Sequence, residues 1–263
     1  MHAEIEMAVI PRMPQAVIDE ILGRLADSDL GSLQSCALVS RSWAPSSRRH
    51  LLHTVTFTWL SMERWLKTFP VPEASPAHLV SDLGFRIGGS DRTPEKFFEY
   101  IPWFTNVERV TLLSRQGMSQ PLKLYWYWRL PQTATSLTIS ADSVTITQIR
   151  NIMLQLPNLD DLSLSGAAVL HSEPPPGYGT DPRWRFCGKL QLHGMLAGTS
   201  SMNLLLENPT SLRFTEVEIC CLHNSLLSTV RLVEACSKSL VKLSYKIALD
   251  HGKAHPFSCS GWF

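Results

Sequence analysis

The feature that most constrains the fold is a short pattern that recurs after residue 80, in which one polar residue separates two apolar residues. The seven pairs are Phe85/Ile87, Val110/Leu112, Leu137/Ile139, Leu162/Leu164, Leu190/Leu192, Leu212/Phe214 and Leu243/Tyr245. This alternation is typical of a strand with one buried face. Successive pairs begin 22 to 31 residues apart, and helix-like stretches lie between several of them, at 94–100, 146–156 and 226–236.

The spacing predicts that residues 80–250 form an irregular β/α solenoid, in which each unit of strand and helix stacks on its neighbours. Because the steps are uneven, the alternative is an ordinary α/β domain with irregular βαβ units. In the solenoid, the strands would present a concave face to a target protein. We expect specificity to lie in the polar residues that alternate with the apolar ones, such as Thr111, Thr138, Ser163 and Gln191.

Residues 13–53 have the pattern of two or three short amphipathic helices. Pro14 suits the first turn of a helix, and the apolar residues that follow recur at helical spacing: Val17, Ile18, Ile21, Leu22 and Leu25. In the second helix, apolar residues cover more than half of the circumference: Leu30, Leu33, Cys36, Ala37, Val39 and Trp43. This apolar surface is larger than a small helical core requires, which predicts a module that binds a partner protein.

Composition and charge exclude several classes of protein. The formal net charge of +1 argues against a dedicated nucleic-acid binder, which needs a basic surplus for phosphate contacts. No apolar run is long enough for a membrane helix, and the first twelve residues include Glu4 and Glu6 and have no apolar core of a secretory signal. The six cysteines show no disulfide-framework spacing. We therefore expect a soluble protein of the cytoplasm, the nucleus or both.

The chain contains no recognised catalytic or phosphate-binding motif. Two His/Cys groups are weak metal-site candidates, because neither has the paired spacing of zinc ligands: His251/His255/Cys259 and Cys220/Cys221/His223. We predict no enzyme activity, no catalytic residue, no metal and no cofactor. The aromatic run 125–128 is interpreted as core or, alternatively, as a surface that contacts a partner.

The N-terminal stretch resembles an F-box motif over about 40 residues. The resemblance is carried by Met13-Pro14, Ile18, Ile21, Leu25, Leu33, Cys36 and Val39-Ser40-Arg41-Ser42-Trp43. Met13 replaces the usual leucine and Ser40 replaces the usual cysteine. The stretch is also similar to F-box proteins of mushroom-forming fungi. The resemblance implies that these residues bind the Skp adaptor or support that interface: Pro14, Ile18, Ile21, Leu22, Leu25, Leu33, Cys36 and Val39. Trp43 would anchor the helices.

The implied function is substrate recognition in a Skp–cullin–F-box ubiquitin ligase, with the chemistry performed by other subunits. Because F-box proteins often carry divergent leucine-rich repeats, the expected fold is a helical F-box module followed by an irregular leucine-rich-repeat-like solenoid of the α/β class. The alternative function is a non-catalytic scaffold without a role in ubiquitin transfer. The expected organisation is a flexible N-terminus, the F-box module, a strand and linker, the repeat region and an irregular tail, at 1–12, 13–53, 54–79, 80–250 and 251–263.

Overall fold

The computed structural model describes residues 13–39, 41–87, 95–114, 130–170, 186–194, 199–207, 209–221 and 226–247. The chain divides into two compact units, Met1–Val55, called here the helical unit, and Thr56–Phe263, called the sheet unit. The N-terminal stretch 1–12, the aromatic run 125–128 and the tail 251–263 lie outside the described residues.

The helical unit contains three helices, α1 (Gln15–Ser28), α2 (Leu30–Val39) and α3 (Ala44–His53). Asp29 separates the first two and accepts a hydrogen bond from the backbone N–H of Ser32 at 3.1 Å, which satisfies a free donor at the start of α2. The hydrogen bonds from Ser32 lower the pKa of Asp29. Pro45 occupies the first turn of α3, where its missing N–H costs nothing.

Eight strands form one sheet, and their order in the sheet is their order along the chain. They are β1 (Thr54–Phe57), β2 (Asp82–Ile87), β3 (Arg109–Ser114), β4 (Ser136–Thr145), β5 (Asp161–Leu170), β6 (Lys189–Gly194), β7 (Glu216–Cys221) and β8 (Lys242–Ile247). Neighbouring strands from β2 to β8 are parallel. Backbone hydrogen bonds also connect the beginnings of neighbouring strands. For example, the N–H groups of Arg109 and Ser136 donate to the carbonyl oxygens of Ser81 and Glu108, the residues just before β2 and β3.

The segments between strands differ in kind. Four of them contain α-helices: α4 (Trp59–Thr68), α5 (Ile146–Leu154), α6 (Thr199–Leu206) and α7 (Leu226–Cys236). The connection between β2 and β3 contains the 3₁₀ helix Glu95–Trp103, and 3₁₀ helices also follow α4 (Pro72–Ala74 and Pro76–Leu79) and α6 (Pro209–Ser211). Residues 70–76 belong to the segment 54–79, which was expected to contain a strand and a linker. Ser75 in this stretch is buried.

The predicted fold class, a helical F-box module followed by an irregular leucine-rich-repeat-like solenoid, is wrong. The fold is an open, mostly parallel eight-stranded α/β sheet with helices. The reason is physical: the alternation within each apolar pair favours a strand but does not specify the segment that connects one strand to the next. Six of the seven pairs lie on strands, β2 to β6 and β8, whereas Leu212/Phe214 lies between a 3₁₀ helix and β7, which the pattern missed.

One face of the sheet contributes a regular array of side chains to the core of the sheet unit. Its buried residues alternate along the strands: Leu83, Phe85, Val110, Leu112, Leu137, Ile139, Leu162, Leu164, Leu190, Leu192, Val217 and Ile219. At the start of the unit, an aromatic cluster surrounds Phe57, whose ring centroid lies 4.7 Å from that of Phe97 and 5.3 Å from that of Trp65. The residues that alternate with the buried residues of the strands, on the opposite face of the sheet, are mostly polar or small.

Candidate functional site

The helical unit has its own small hydrophobic core. Ile18, Leu22 and Leu33 are buried and form the centre of this cluster. Partly buried apolar residues pack against it: Leu25, Ala26, Cys36, Trp43 and Leu51. Three of the residues predicted to bind an adaptor thus lie inside the unit, where they can support an interface but cannot form its contact surface.

The other residues predicted for the adaptor interface lie nearer the surface. Pro14 is exposed, and Ile21, Leu25 and Cys36 are half-buried. Val39 is the last residue of α2, and its side chain lies outside the described part of the chain. The half-buried Trp43 directly precedes α3 and packs against the core cluster, a position suited to an anchor between helices.

Apolar side chains also remain exposed on the first two helices. Met13, which precedes α1, is exposed. On α1 itself, exposed Val17 and half-buried Ile21 are four residues apart and share one stripe of the helix. On α2, Leu30 is exposed and Leu38 is 88% exposed. The sequence did not single out Leu38, because α2 is apolar on most sides and its periodicity is weak. These exposed residues, rather than the core cluster, are the candidate contact surface of the helical unit.

A polar contact joins α1 to α3. The Nε2 group of Gln15 donates to Oγ of the buried Ser46 at 3.0 Å and to Oδ1 of Asp19 at 2.9 Å. The hydrogen bond from Ser46, followed by that from Gln15, lowers the pKa of Asp19. Because Ser46 is buried, its hydroxyl needs such a partner, and the contact helps to fix the orientation of α1.

A second candidate surface is the polar face of the sheet. Strand register places polar or small residues side by side in one row: Gly84, Thr111, Thr138, Ser163, Gln191, Glu218 and Ser244. All four residues expected to govern specificity fall in this row. Thr111, Thr138 and Ser163 are half-buried in this row.

At one end of that row, charged and polar side chains surround the carboxylate of Glu218. Its carboxylate accepts a hydrogen bond from Gln191 Nε2 at 2.9 Å, and the ammonium groups of Lys189 and Lys246 lie 3.9 Å and 4.0 Å away. The bond from Gln191 is the largest cause of a lowered pKa at Glu218, with smaller contributions from His193 and the two lysines. The carboxylate is thus held ionised between three strands.

We predict that Glu218→Gln makes the protein less sensitive to acid. A carboxyl group whose folded-state pKa is depressed stabilises the fold above its ordinary pKa of 4.5, and that contribution is lost as the pH falls through the lower folded-state value. The free energy of unfolding of the wild type should therefore exceed that of Glu218→Gln at neutral pH, and the difference should shrink below about pH 4.5. Urea denaturation at several pH values measures this. A pH-independent difference would contradict it, and the exposed Glu108→Gln serves as the control.

The described residues offer little reactive chemistry. Within them, no group of three or more His, Cys, Asp or Glu side chains is arranged to hold a metal ion. Of the two sequence candidates, His251, His255, Cys259 and His223 fall outside the described ranges. Burial raises the pKa of Cys236 to about 11, so its thiol is protonated at neutral pH and is a poor nucleophile. In the described part of the chain, no helix has the length and apolarity needed to cross a bilayer.

No protein-family model matches the chain, and no curated protein sequence matches it. The likeness to an F-box therefore depends on the residues of 13–53 alone.

Proposed function

We propose that this chain is a substrate-recognition subunit of a Skp–cullin–F-box ubiquitin ligase, and that its helical unit binds the Skp adaptor. The observation that carries the proposal is the apolar surface that α1 and α2 leave exposed. The helical unit already has a filled core of Ile18, Leu22 and Leu33, yet Val17, Leu30 and further apolar residues remain uncovered. Exposed apolar side chains grouped on a small unit are a usual sign of a protein-binding surface.

The F-box resemblance of 13–53 supports the choice of adaptor. In this proposal, exposed Val17, Leu30 and Leu38 make direct contacts, half-buried Ile21, Leu25 and Cys36 line the edge of the interface, and the buried core holds the helices at the required angle. Burial of one large aliphatic side chain contributes roughly 1.5–3 kcal/mol, so a few such contacts suffice for a stable complex.

The polar face of the sheet is the proposed site for the target protein. Its row of hydroxyls and its charged end around Glu218 provide hydrogen-bonding groups at fixed spacing on a rigid support, which favours specificity over raw affinity. Ubiquitin transfer itself would be carried out by the other subunits of the ligase. A subunit of this kind would act in the cytoplasm, the nucleus or both.

The double variant Val17→Asp/Leu38→Asp tests adaptor binding. Both side chains are exposed, so the helical unit should remain folded, and circular dichroism checks this. Recombinant Skp adaptor should capture the wild-type chain and should capture the variant at least about tenfold less, because two carboxylates would have to be buried in an apolar interface.

The matched control is Ala16→Asp/Ser35→Asp, which adds the same charges to the same two helices at exposed positions without a large apolar side chain. Equal capture of the variant and its control, or no capture of the wild type, would contradict the proposal. Capture by the adaptor without association with cullin or a target would indicate the scaffold function instead.

A further inference from the structure

Three rows of side chains cross the polar face of the sheet, and they differ in charge. The first row, at the beginnings of the strands, consists of Asp82, Arg109, Ser136, Asp161, Lys189, Glu216 and Lys242. Its three acidic and three basic residues balance. The second row, which contains Thr111, Thr138 and Ser163, has one charged residue, Glu218. The balance of charge on this face therefore depends on the third row.

The third row lies nearest the carboxyl ends of the strands and contains no acidic residue. Strand register aligns its members in the order Arg86, Leu113, Ser140, Ser165, His193, Cys220 and Lys246. Arg86 and Lys246, at its two ends, are exposed. Within the described strands, the face thus becomes more positive toward their carboxyl ends, and a surface of this sign attracts anionic groups.

The sequence that follows these strands has the same sign of charge. Segments outside the described ranges follow six of the strands in the sequence: 88–94, 115–129, 171–185, 195–198, 222–225 and 248–263. Together they contain seven Lys or Arg residues and four Asp or Glu residues. Their composition therefore supplies no acidic surplus to offset the third row.

The acidic group next to the third row is shared among several partners. The carboxylate of Glu218 accepts the hydrogen bond from Gln191 and lies 3.9 Å from the ammonium group of Lys189 and 4.0 Å from that of Lys246. His193 also contributes to the lowered pKa of Glu218, so its ring lies within electrostatic reach of the same carboxylate. Within the described strands, two ammonium groups therefore share a single carboxylate, which leaves a local surplus of positive charge.

Strand register places His193, Cys220 and Lys246 side by side on β6, β7 and β8. Neighbouring strands are about 4.8 Å apart, so the backbones at His193 and Lys246 are separated by roughly 10 Å. The small side chain of Cys220 between them leaves room for an anionic group that contacts both. The Lys246 side chain is 66% exposed and His193 is half-buried. An ammonium group and an imidazole N–H can both donate to a carboxylate.

We propose that the target segment bound by the polar face is acidic, and that one of its carboxylates binds between His193 and Lys246. This inference rests on the proposed function, because it names the chemistry of the target in that proposal. A nucleic acid is disfavoured as the occupant. The first row carries as many acidic as basic residues on the same face, and its carboxylates would repel a backbone of phosphates.

Fluorescence anisotropy on the whole chain tests the proposal with a labelled peptide of alternating Glu and Ser and a matched peptide in which Gln replaces Glu. We expect the acidic peptide to bind with an affinity that falls as salt is added, and the neutral peptide not to bind. His193→Gln/Lys246→Gln should weaken binding of the acidic peptide about fivefold. Glu218→Gln should strengthen it about threefold, because it removes the carboxylate that competes for Lys246.

The matched control is Arg213→Gln/Lys238→Gln, which removes two positive charges at exposed positions outside the three rows and should leave peptide binding unchanged. Circular dichroism checks that each variant is folded. No binding by the wild type, equal binding of the neutral peptide, or an equal loss in the control and the test variant would overturn the proposal. Peptide binding without adaptor capture would contradict the ligase role while supporting the acidic preference of the face, so the two proposals fail separately.

Discussion

Replacing Phe57 with alanine is expected to lower the free energy of unfolding of the sheet unit by about 3–5 kcal/mol. Phe57 is only 1% exposed, and four aromatic rings surround it, with centroid distances of 4.7 Å to Phe97, 5.3 Å to Trp65, 6.0 Å to Phe104 and 6.3 Å to Phe85. The substitution removes a buried ring and leaves a cavity that the neighbouring rings cannot fully close. Since domains are typically stable by 5–15 kcal/mol, much of the stability would be lost.

Urea denaturation followed by tryptophan fluorescence measures this change, because Trp65 lies beside the deleted ring. The control is Leu60→Ala, which truncates a side chain that is 61% exposed on the next element and should change stability by less than about 1 kcal/mol. A similar loss of stability in both variants would show that the aromatic cluster does not form the core of this region.

The sequence predicted a strand and a linker over 54–79, and β1 (Thr54–Phe57) is that strand, but the helix α4 that follows was not predicted. The signal for α4 was a capping box, in which Thr58 and Ser61 bond to each other's backbone N–H groups at 3.3 Å and 2.7 Å. A capping box with serine in place of glutamate or glutamine is a weak pattern. The sequence could not predict which aromatic residues contact Phe57. These contacts join residues distant in the sequence, and the spacing of apolar residues carries no information about them.

Leu22→Ala is expected to destabilise the helical unit by about 2–5 kcal/mol, enough to unfold it. Leu22 is fully buried at the centre of the core cluster with Ile18 and Leu33. A unit of about this size has little stability to spare, since domains below roughly 40 residues usually need additional support. Hydrogen exchange should show loss of amide protection in α1 to α3 with protection in the sheet strands retained.

The control for this experiment is Val17→Ala on the exposed stripe of α1, which should keep the amide protection of the helical unit. Retained protection in Leu22→Ala would contradict the assignment of this residue to the core. In the proposed function, Leu22→Ala also abolishes capture by the Skp adaptor, but through unfolding and not through loss of a contact. Comparison with Val17→Asp/Leu38→Asp, which remains folded, separates these two causes.

The helices of 13–53 could be predicted because their apolar residues recur at helical spacing. Their division into core and surface could not, because Val17 and Ile18 are equally apolar and adjacent, and only the packing of α2 and α3 decides that Ile18 is buried. The same limit applies to the sheet. Alternation identified the polar face of β2 to β6 and of β8 but missed β7. Register, which aligns Thr111, Thr138 and Ser163, follows from the lengths of the connections.

The order of the strands predicts the order in which they unfold under mechanical force. Paired residues from β2 to β8 are separated by only 25 to 28 positions, so every strand pairing joins near neighbours in the chain. Each added strand requires closure of a loop of only moderate length. This favours folding that begins at interior strands and adds neighbouring strands one at a time. Mechanical tension applied from the C-terminal side would then peel β8 first and β7 next, so that extension would proceed in small steps while the aromatic cluster yielded last.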